Sequence, residues 1–496
     1  LQAPGHDVRW TLQVEDGGVL EGTAEADGVG HAIRLPADLP QGYHTLLAAG
    51  ACSRVIVCPA ACHLPPALAA GERLWGLCVQ VYALRSSRNW GMGDFSDLAQ
   101  LVEVTAALGG AFVGVNPLHA LFMHAPEHAS PYSPSSRRWL NPLYLDVEAL
   151  PEYAECEAAR RQVAAPAFRQ RLRQLREAEL VDYAGVAACK REVLETLYRH
   201  FRAQHLAADT DSARAFRRFR SEQGHDLHCH ALLEAVQAHL HAQDASVWGW
   251  AAWPEAWRDP HGAAIRGFEA AHAERVDFHA WLQWHAALQL EAVQQRALAL
   301  DMPIGLYRDL AVSASAGGSE TWSAPRVYAL GVHVGAPPED AYPGGQDWGL
   351  PPVRPEALRA RGHAPFITTL RANMRAAGAL RLDHVMALMR LFWIHPAHGG
   401  RHGTYVHYPM HELMGIVALE SQRQHCLVIG EDLGNVAPDV RDAMARRRLL
   451  SYRPLYFERD DAGLVRPPRQ WPARALAVIG THDLPTLRGW WLGRDI

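Results

Sequence analysis

Hydrophobic positions change their rhythm near residue 60 of this chain. Before it they alternate with polar ones: Val8-Arg9-Trp10-Thr11-Leu12-Gln13-Val14, then Gly42-Tyr43-His44-Thr45-Leu46, then Ser53-Arg54-Val55-Ile56-Val57. Gly, Asp and Pro separate these runs. A period of two, broken by turn residues, predicts a small antiparallel, sandwich-like β-domain over residues 1–62. The stretch 59–71, with Pro65 and Pro66, reads as a linker.

From Leu74 onward the apolar residues form short continuous runs, each followed by a polar loop and a helical stretch. The runs are 74–81, 111–115, 303–306, 379–382, 426–429, 450–457 and 475–479. Helical periodicity fills 95–108 and 278–300. Continuous apolar strands alternating with helices indicate a parallel sheet covered on both faces. Seven in succession favour an α/β fold of the (β/α)8 TIM-barrel type over a doubly wound sheet. Residues 63–149 then hold strands one and two, and 278–496 hold strands three to seven with the catalytic loops. The interval 150–277 is rich in Ala, Arg, Glu, Leu and His, and predicts a helical insertion between strands two and three.

Three of the apolar runs end in an acid. Leu380-Arg381-Leu382 leads into Asp383-His384, Leu427-Val428-Ile429-Gly430 into Glu431-Asp432, and Ala477-Val478-Ile479-Gly480 into Thr481-His482-Asp483. The carboxyl ends of barrel strands are where active sites form. A carboxylate buried there is costly unless it is paired or used. Three such acids on one rim suggest glycoside chemistry, in which one carboxyl protonates the leaving oxygen and another attacks or stabilises the oxocarbenium-like centre. Arg381 lies two residues before Asp383 and so shares its face of the strand. A guanidinium there favours an ionised Asp383, which suits a nucleophile. Helix capping or simple pairing with arginine is the plainer reading of any one of these acids.

At these residues the chain resembles the amylomaltases, or disproportionating 4-α-glucanotransferases, and more closely their longer bacterial branch. The similarity rests on Ser86-Ser87-Arg88-Asn89-Trp90-Gly91-Met92-Gly93-Asp94-Phe95, Ser130-Pro131-Tyr132-Ser133-Pro134-Ser135-Ser136-Arg137-Arg138, Ile304-Gly305-Leu306-Tyr307-Arg308-Asp309-Leu310, Gly335-Ala336-Pro337-Pro338 with Gly345-Gln346-Asp347-Trp348-Gly349, and the three carboxylate segments. The resemblance implies that Asp383 is the nucleophile, Glu431 the general acid/base and Asp483 the residue that grips the distorted sugar in subsite −1. It implies that Arg381 and His482 line that subsite and that Tyr132 and Asp309, the latter following the third strand, contact substrate. Trp348 lies in a loop that folds over the acceptor side. The implied substrates are malto-oligosaccharides and related α-1,4-glucans, with no cofactor and no metal. The chain departs from the family's usual loop at Pro338-Glu339-Asp340-Ala341-Tyr342-Pro343, which bears on acceptor preference. Family members continue well past the seventh strand. The expectation is therefore a fragment of a longer protein, with the eighth strand outside this chain.

Composition narrows the alternatives. A formal net charge of −5 offers no basic field for nucleic acid or acidic lipid. No apolar run approaches the roughly 18–20 residues that span a bilayer. Eight cysteines scattered over 496 residues do not resemble a disulfide framework, which points to a reducing, cytoplasmic setting. His225, His228, Cys229, His230, His239 and His241 could suggest a metal site, as could Cys52, Cys58, Cys62 and His63. A solvated histidine-rich helix and spacing that fits no zinc knuckle are the plainer readings. Asn89, Trp90 and Asp94 either meet substrate or shape the rim and cap the next helix. Asp432 should point away from Glu431 and serve the structure. The rival functions are an α-amylase-type hydrolase, a metal-dependent hydrolase using Asp383/His384 and His482/Asp483 as ligands, and a non-catalytic glucan-binding scaffold.

Overall fold

In the computed structural model, which describes residues 8–26, 30–339 and 342–494, the apolar runs after residue 74 form seven parallel strands. They are β1 (Gly76–Val79), β2 (Phe112–Val115), β3 (Gly305–Leu310), β4 (Ala379–Leu382), β5 (Leu427–Gly430), β6 (Leu450–Pro454) and β7 (Ala475–Val478). Each pairs in parallel with the next, so their order in space is their order in the chain. A doubly wound sheet reverses its order at a switch point. This one never does, which is the progression of a (β/α) barrel. Among the described residues no eighth strand joins β7 to β1.

One face of the sheet forms the barrel interior, where Phe112, Tyr307, Ala379, Leu427, Ile429 and Tyr452 pack together. Beneath them sit Leu64, Leu68 and Leu74. The expected linker thus does more than connect. It contains a helical turn, Pro66–Ala69, and is tied to the barrel by the Cys62 amide to the Arg447 carbonyl at 2.8 Å and the His63 amide to Ser421 Oγ at 2.9 Å.

The third strand runs further than its apolar run suggests, through Arg308 and Asp309 to Leu310. Both polar residues are buried, and each has a partner that permits it. The Arg308 guanidinium donates to the carbonyls of Ala372, Asn373 and Arg375, at the C-terminal end of the helix Ala364–Met374. A cation there meets the negative pole of that helix. Asp309, on the opposite face, meets Arg381. It therefore stands inside the strand rather than after it.

Six helices occupy most of the interval after β2: Pro151–Glu155, Glu157–Ala164, Pro166–Glu177, Tyr183–Phe201, Asp211–Gln243 and Ala263–Ala299. The last crosses residue 277 and returns the chain to β3. Gly224 and His272 interrupt the two longest with non-helical backbone. After β3 and β4 the chain also makes excursions that join in a four-stranded antiparallel sheet. Its order is Gln346–Leu350, His333–Ala336, Arg390–Ile394, Gly403–His407. Gly335 is required at the centre of this sheet, since a Cβ would lie 2.0 Å from the Gln346 carbonyl oxygen. Both excursions leave from strand C-terminal ends, so this sheet stands on the face that carries the acids.

Ahead of the barrel, four strands form an antiparallel sheet in the order Val19–Thr23, Arg9–Gln13, Gly42–Ala48, Ala51–Val57. It docks on barrel helices through Tyr43, whose hydroxyl donates to buried Glu420 at 2.7 Å.

Candidate active site

Register builds the centre of the site. Asp309 on β3 and Arg381 on β4 are direct neighbours in the parallel ladder. One guanidinium nitrogen of Arg381 donates to both Asp309 oxygens, at 2.7 and 2.9 Å, and the other reaches Asp383 Oδ1 at 2.8 Å. Arg381 is buried, which alone would favour its neutral form. The two carboxylates outweigh that and hold its pKa well above the usual value. Its guanidinium carbon also lies 5.1 Å from the centre of the Tyr452 ring on β6. Burial pushes the Asp309 carboxyl up, while Arg381 and the Tyr132 hydroxyl, at 2.8 Å, draw it down.

Glu431 follows β5 as Asp383 follows β4. Its two oxygens are held by backbone: Oε2 accepts from the His384 amide at 2.9 Å and Oε1 from the Leu433 amide at 2.6 Å. Burial, with the charge of Asp383 added, raises its pKa to about 7 against the pull of Arg381 and the two amides. His384 makes this contact from the left-handed region, φ 48° and ψ 65°, a conformation uncommon outside glycine. Strain of that kind concentrates at functional sites. Burial lowers the His384 imidazole to about 4.

Asp432 points away and serves structure. It accepts from Ser451 Oγ at 2.8 Å, the Tyr452 amide at 2.9 Å and Arg453 at 3.1 Å, which fastens β6 to β5.

Across the mouth, the Tyr132 ring stacks on His482, with centroids 3.8 Å apart and planes 14° apart. Asp309, Arg381, Asp383, Tyr132 and His482 are thus joined by direct contacts, and Glu431 adjoins them through His384. Asp483 stands at the margin. Its side chain is 70% exposed and meets His482 Nε2 at 3.2 Å. Trp348, on the antiparallel sheet, sets its ring edge-on to His384 at 5.0 Å and donates to Gln346 Oε1 at 3.0 Å. In the adjoining loop, Asp340 and Ala341 lie outside the described residues.

The motif after β1 builds the rim. Asp94 caps the helix Phe95–Ala107 in a reciprocal capping box with Asp97. Arg88 ties Asp94, Asp97 and Asp146 together, Asn89 donates to Asp97 at 2.8 Å, and Trp90 donates to Glu148 at 3.0 Å. Sequence reasoning named His384 only as a metal ligand in a rival reading and missed Tyr452. A signal for the first was its place directly after the strand-end acid. The second offered none, since its partner is distant in sequence.

The histidine-rich helix spreads its candidates. His230 meets Ser319 at 2.8 Å, His228 faces Glu269 at 3.4 Å and His239 meets Gln243. Neither of the two suspected groups brings three ligand atoms together among the described residues.

Comparison with known proteins accords with this geometry. Residues 79–495 match the family described as 4-alpha-glucanotransferase, and residues 1–59 match the MalQ N-terminal beta sandwich domain. A 4-alpha-glucanotransferase of Haemophilus influenzae is 41% identical over 446 residues, covering 89% of this chain and 64% of the relative. One from Mycobacterium tuberculosis is 38% identical over 513 residues, covering 98% and 69%. The amylomaltase structure from Corynebacterium glutamicum superposes with a TM-score of 0.83 at 32% identity, over 99% of this chain and 68% of that one. The chain therefore spans about two thirds of the length of these relatives, slightly less for the first. On the strength of that match and the strand-end site, this chain belongs to the 4-alpha-glucanotransferase family.

Proposed function

We propose that this chain carries the catalytic centre of a retaining 4-α-glucanotransferase acting on α-1,4-glucans. The observation that carries this reading is the contrast between two adjacent carboxyls. Glu431 is buried and raised to about 7, whereas Asp383 lies against the Arg381 guanidinium. An acid poised near neutrality beside a carboxylate paired with arginine is the division of labour that retaining glycoside chemistry needs.

In the first step an Asp383 oxygen bonds to the anomeric carbon of the donor. The glycosidic C–O bond breaks as Glu431 gives its proton to the departing oxygen. In the second, Glu431 takes the proton of an acceptor 4-hydroxyl, whose oxygen attacks the same carbon and releases Asp383. Two inversions retain the α configuration. Arg381 and Asp309 orient Asp383 and the sugar hydroxyls. Tyr132 and His482 form an aromatic wall for a glucose face, with Asp483 beside it to bind hydroxyls. Trp348 shields the acceptor side, so that a sugar meets the glycosyl-enzyme before water does.

Residues 1–62, 63–149, 150–277 and 278–496 are the proposed divisions, with chemistry confined to the barrel. Among the described residues no helix is long and apolar enough to cross a membrane. All eight cysteines are unpaired, which fits a cytoplasmic location.

Incubation with maltotriose tests the reaction. A ladder of longer oligosaccharides with a constant number of reducing ends is expected. Only shortened products, with reducing ends rising, would instead make the enzyme a hydrolase.

A further inference from the structure

Away from the barrel mouth, Glu155, His200 and His205 bring three ligand atoms within 4.8 Å of one another. Glu155 ends the helix Pro151–Glu155, and His200 lies in the last turn of Tyr183–Phe201. His205 lies in the π-helical turn Arg202–Leu206 that follows. In an α-helix, residues five apart point about 140° away from each other. The wider π turn, closed by the Ala207 amide on the Arg202 carbonyl at 3.1 Å, brings His200 and His205 to one side. Such turns are rare and frequently mark functional sites.

Two further observations point to a ligand. His200 Nε2 is buried with no hydrogen-bond partner, and Glu155 Oε2 lies beyond bonding range at 3.7 Å. His205 Nε2 lies 2.8 Å from the same oxygen. The edge of a tetrahedron around zinc, with bonds of roughly 2.0–2.1 Å, is about 3.4 Å. The two separations bracket that value. Thr210 Oγ1, 3.1 Å from His205 Nδ1, can accept its N–H and leave the Nε2 lone pair for a metal, the usual outer support of a ligating imidazole. Thr210 is itself fixed as the cap of the helix Asp211–Gln243.

We propose that Glu155, His200 and His205 bind a divalent transition-metal ion, zinc by the chemistry of two imidazoles and one carboxylate. Three protein ligands leave a coordination position for water, and the half-exposed Glu155 opens the site to exchange with solvent. The ion joins the first helix of the insertion, Pro151–Glu155, which follows the loop after β2, to the helix Tyr183–Phe201 and its π turn. That loop carries Asp146 and Glu148, the partners of Arg88 and Trp90 on the rim. The site is therefore a clip within the insertion, at the end that adjoins the rim, and it is independent of the proposed reaction.

Zinc titration of the chelator-treated protein, by competition with a chromophoric chelator, tests the proposal. One equivalent should bind, and zinc should raise the melting temperature. His200→Ala, His205→Ala and Glu155→Gln should each weaken binding of that equivalent at least tenfold, and Thr210→Val about 10–100-fold. His225→Ala with His228→Ala should leave it unchanged. Glu155 is half exposed, so Glu155→Gln should fold as the parent does, and circular dichroism of the metal-free proteins checks this. Absence of binding, or binding undiminished in Glu155→Gln and both His→Ala variants, overturns the assignment.

Discussion

The His384 amide donates to Glu431 at 2.9 Å, so the residue after one strand-end acid positions the other. This contact stabilises the ionised form of Glu431, yet burial prevails and the carboxyl sits at about 7. In the proposed role of general acid it must be protonated, so kcat/KM should fall as pH rises through about 7. Glu431→Gln should lower kcat by roughly 10²–10⁴-fold and remove that alkaline limb from the residual activity. The same raised pKa has a stability consequence. A carboxyl whose pKa is higher folded than unfolded contributes stability that is fully present below about 4.5 and lost as pH rises through about 7. Glu431→Gln should therefore gain stability relative to the parent at pH 8 but not at pH 4. Denaturant melts at the two pH values measure this, and an equal difference at both contradicts it.

Arg381 is the only cation in contact with both Asp309 and Asp383 among the described residues. Removing one partner of a buried ion pair costs about 3–5 kcal/mol because the other charge is stranded. Arg381→Ala should lose stability of that order and activity with it. Arg381→Lys supplies a point charge that cannot repeat the fork. It should recover part of the stability and little of the rate. A Lys variant with parental kcat/KM would refute the orienting role.

Asp432 makes the opposite prediction. Its side-chain contacts run to β6 and to Arg441, away from Asp383 and Glu431. Asp432→Ala strands the buried Tyr452 amide and removes the acceptor for Arg453. A loss of about 3 kcal/mol is expected. At a temperature where the variant is folded, its kcat should stay within about tenfold of the parent. Inactivity of a fully folded variant would move Asp432 into the chemistry.

These contrasts also explain what could be read from the chain alone. β4 and β5 were legible because each passes abruptly from an apolar run to an acid, a local signal of strand end and site together. β3 was cut short because Arg308 and Asp309 look like loop residues until Asn373 and Arg381 arrive from more than 60 residues away. The antiparallel sheet around Trp348 escaped notice for a similar reason. His333–Ala336 pairs with Arg390–Ile394, and that register is set by packing rather than by local alternation. The acids themselves were visible, but their unequal surroundings were not. Only the fold shows Glu431 enclosed by two amides and Asp483 left exposed.

Trp348 offers a test of how water is kept out. Its ring stands edge-on to His384, 5.0 Å away, and its indole nitrogen is held by Gln346. It therefore packs on the imidazole of the residue whose amide holds Glu431. Trp348→Ala should open that side of the cleft while leaving the Arg381–Asp383 pair and the Glu431 amide contacts in place. Cleavage of the donor should then persist, and the partition between sugar and water should shift several-fold toward water. Trp348→Phe keeps an aromatic edge and should stay near the parent. The ratio of glucose released to oligosaccharide extended, measured with maltotriose at fixed concentration, reads the partition directly. A ratio unchanged in the Ala variant at full cleavage rate would show that the acceptor is selected by other residues.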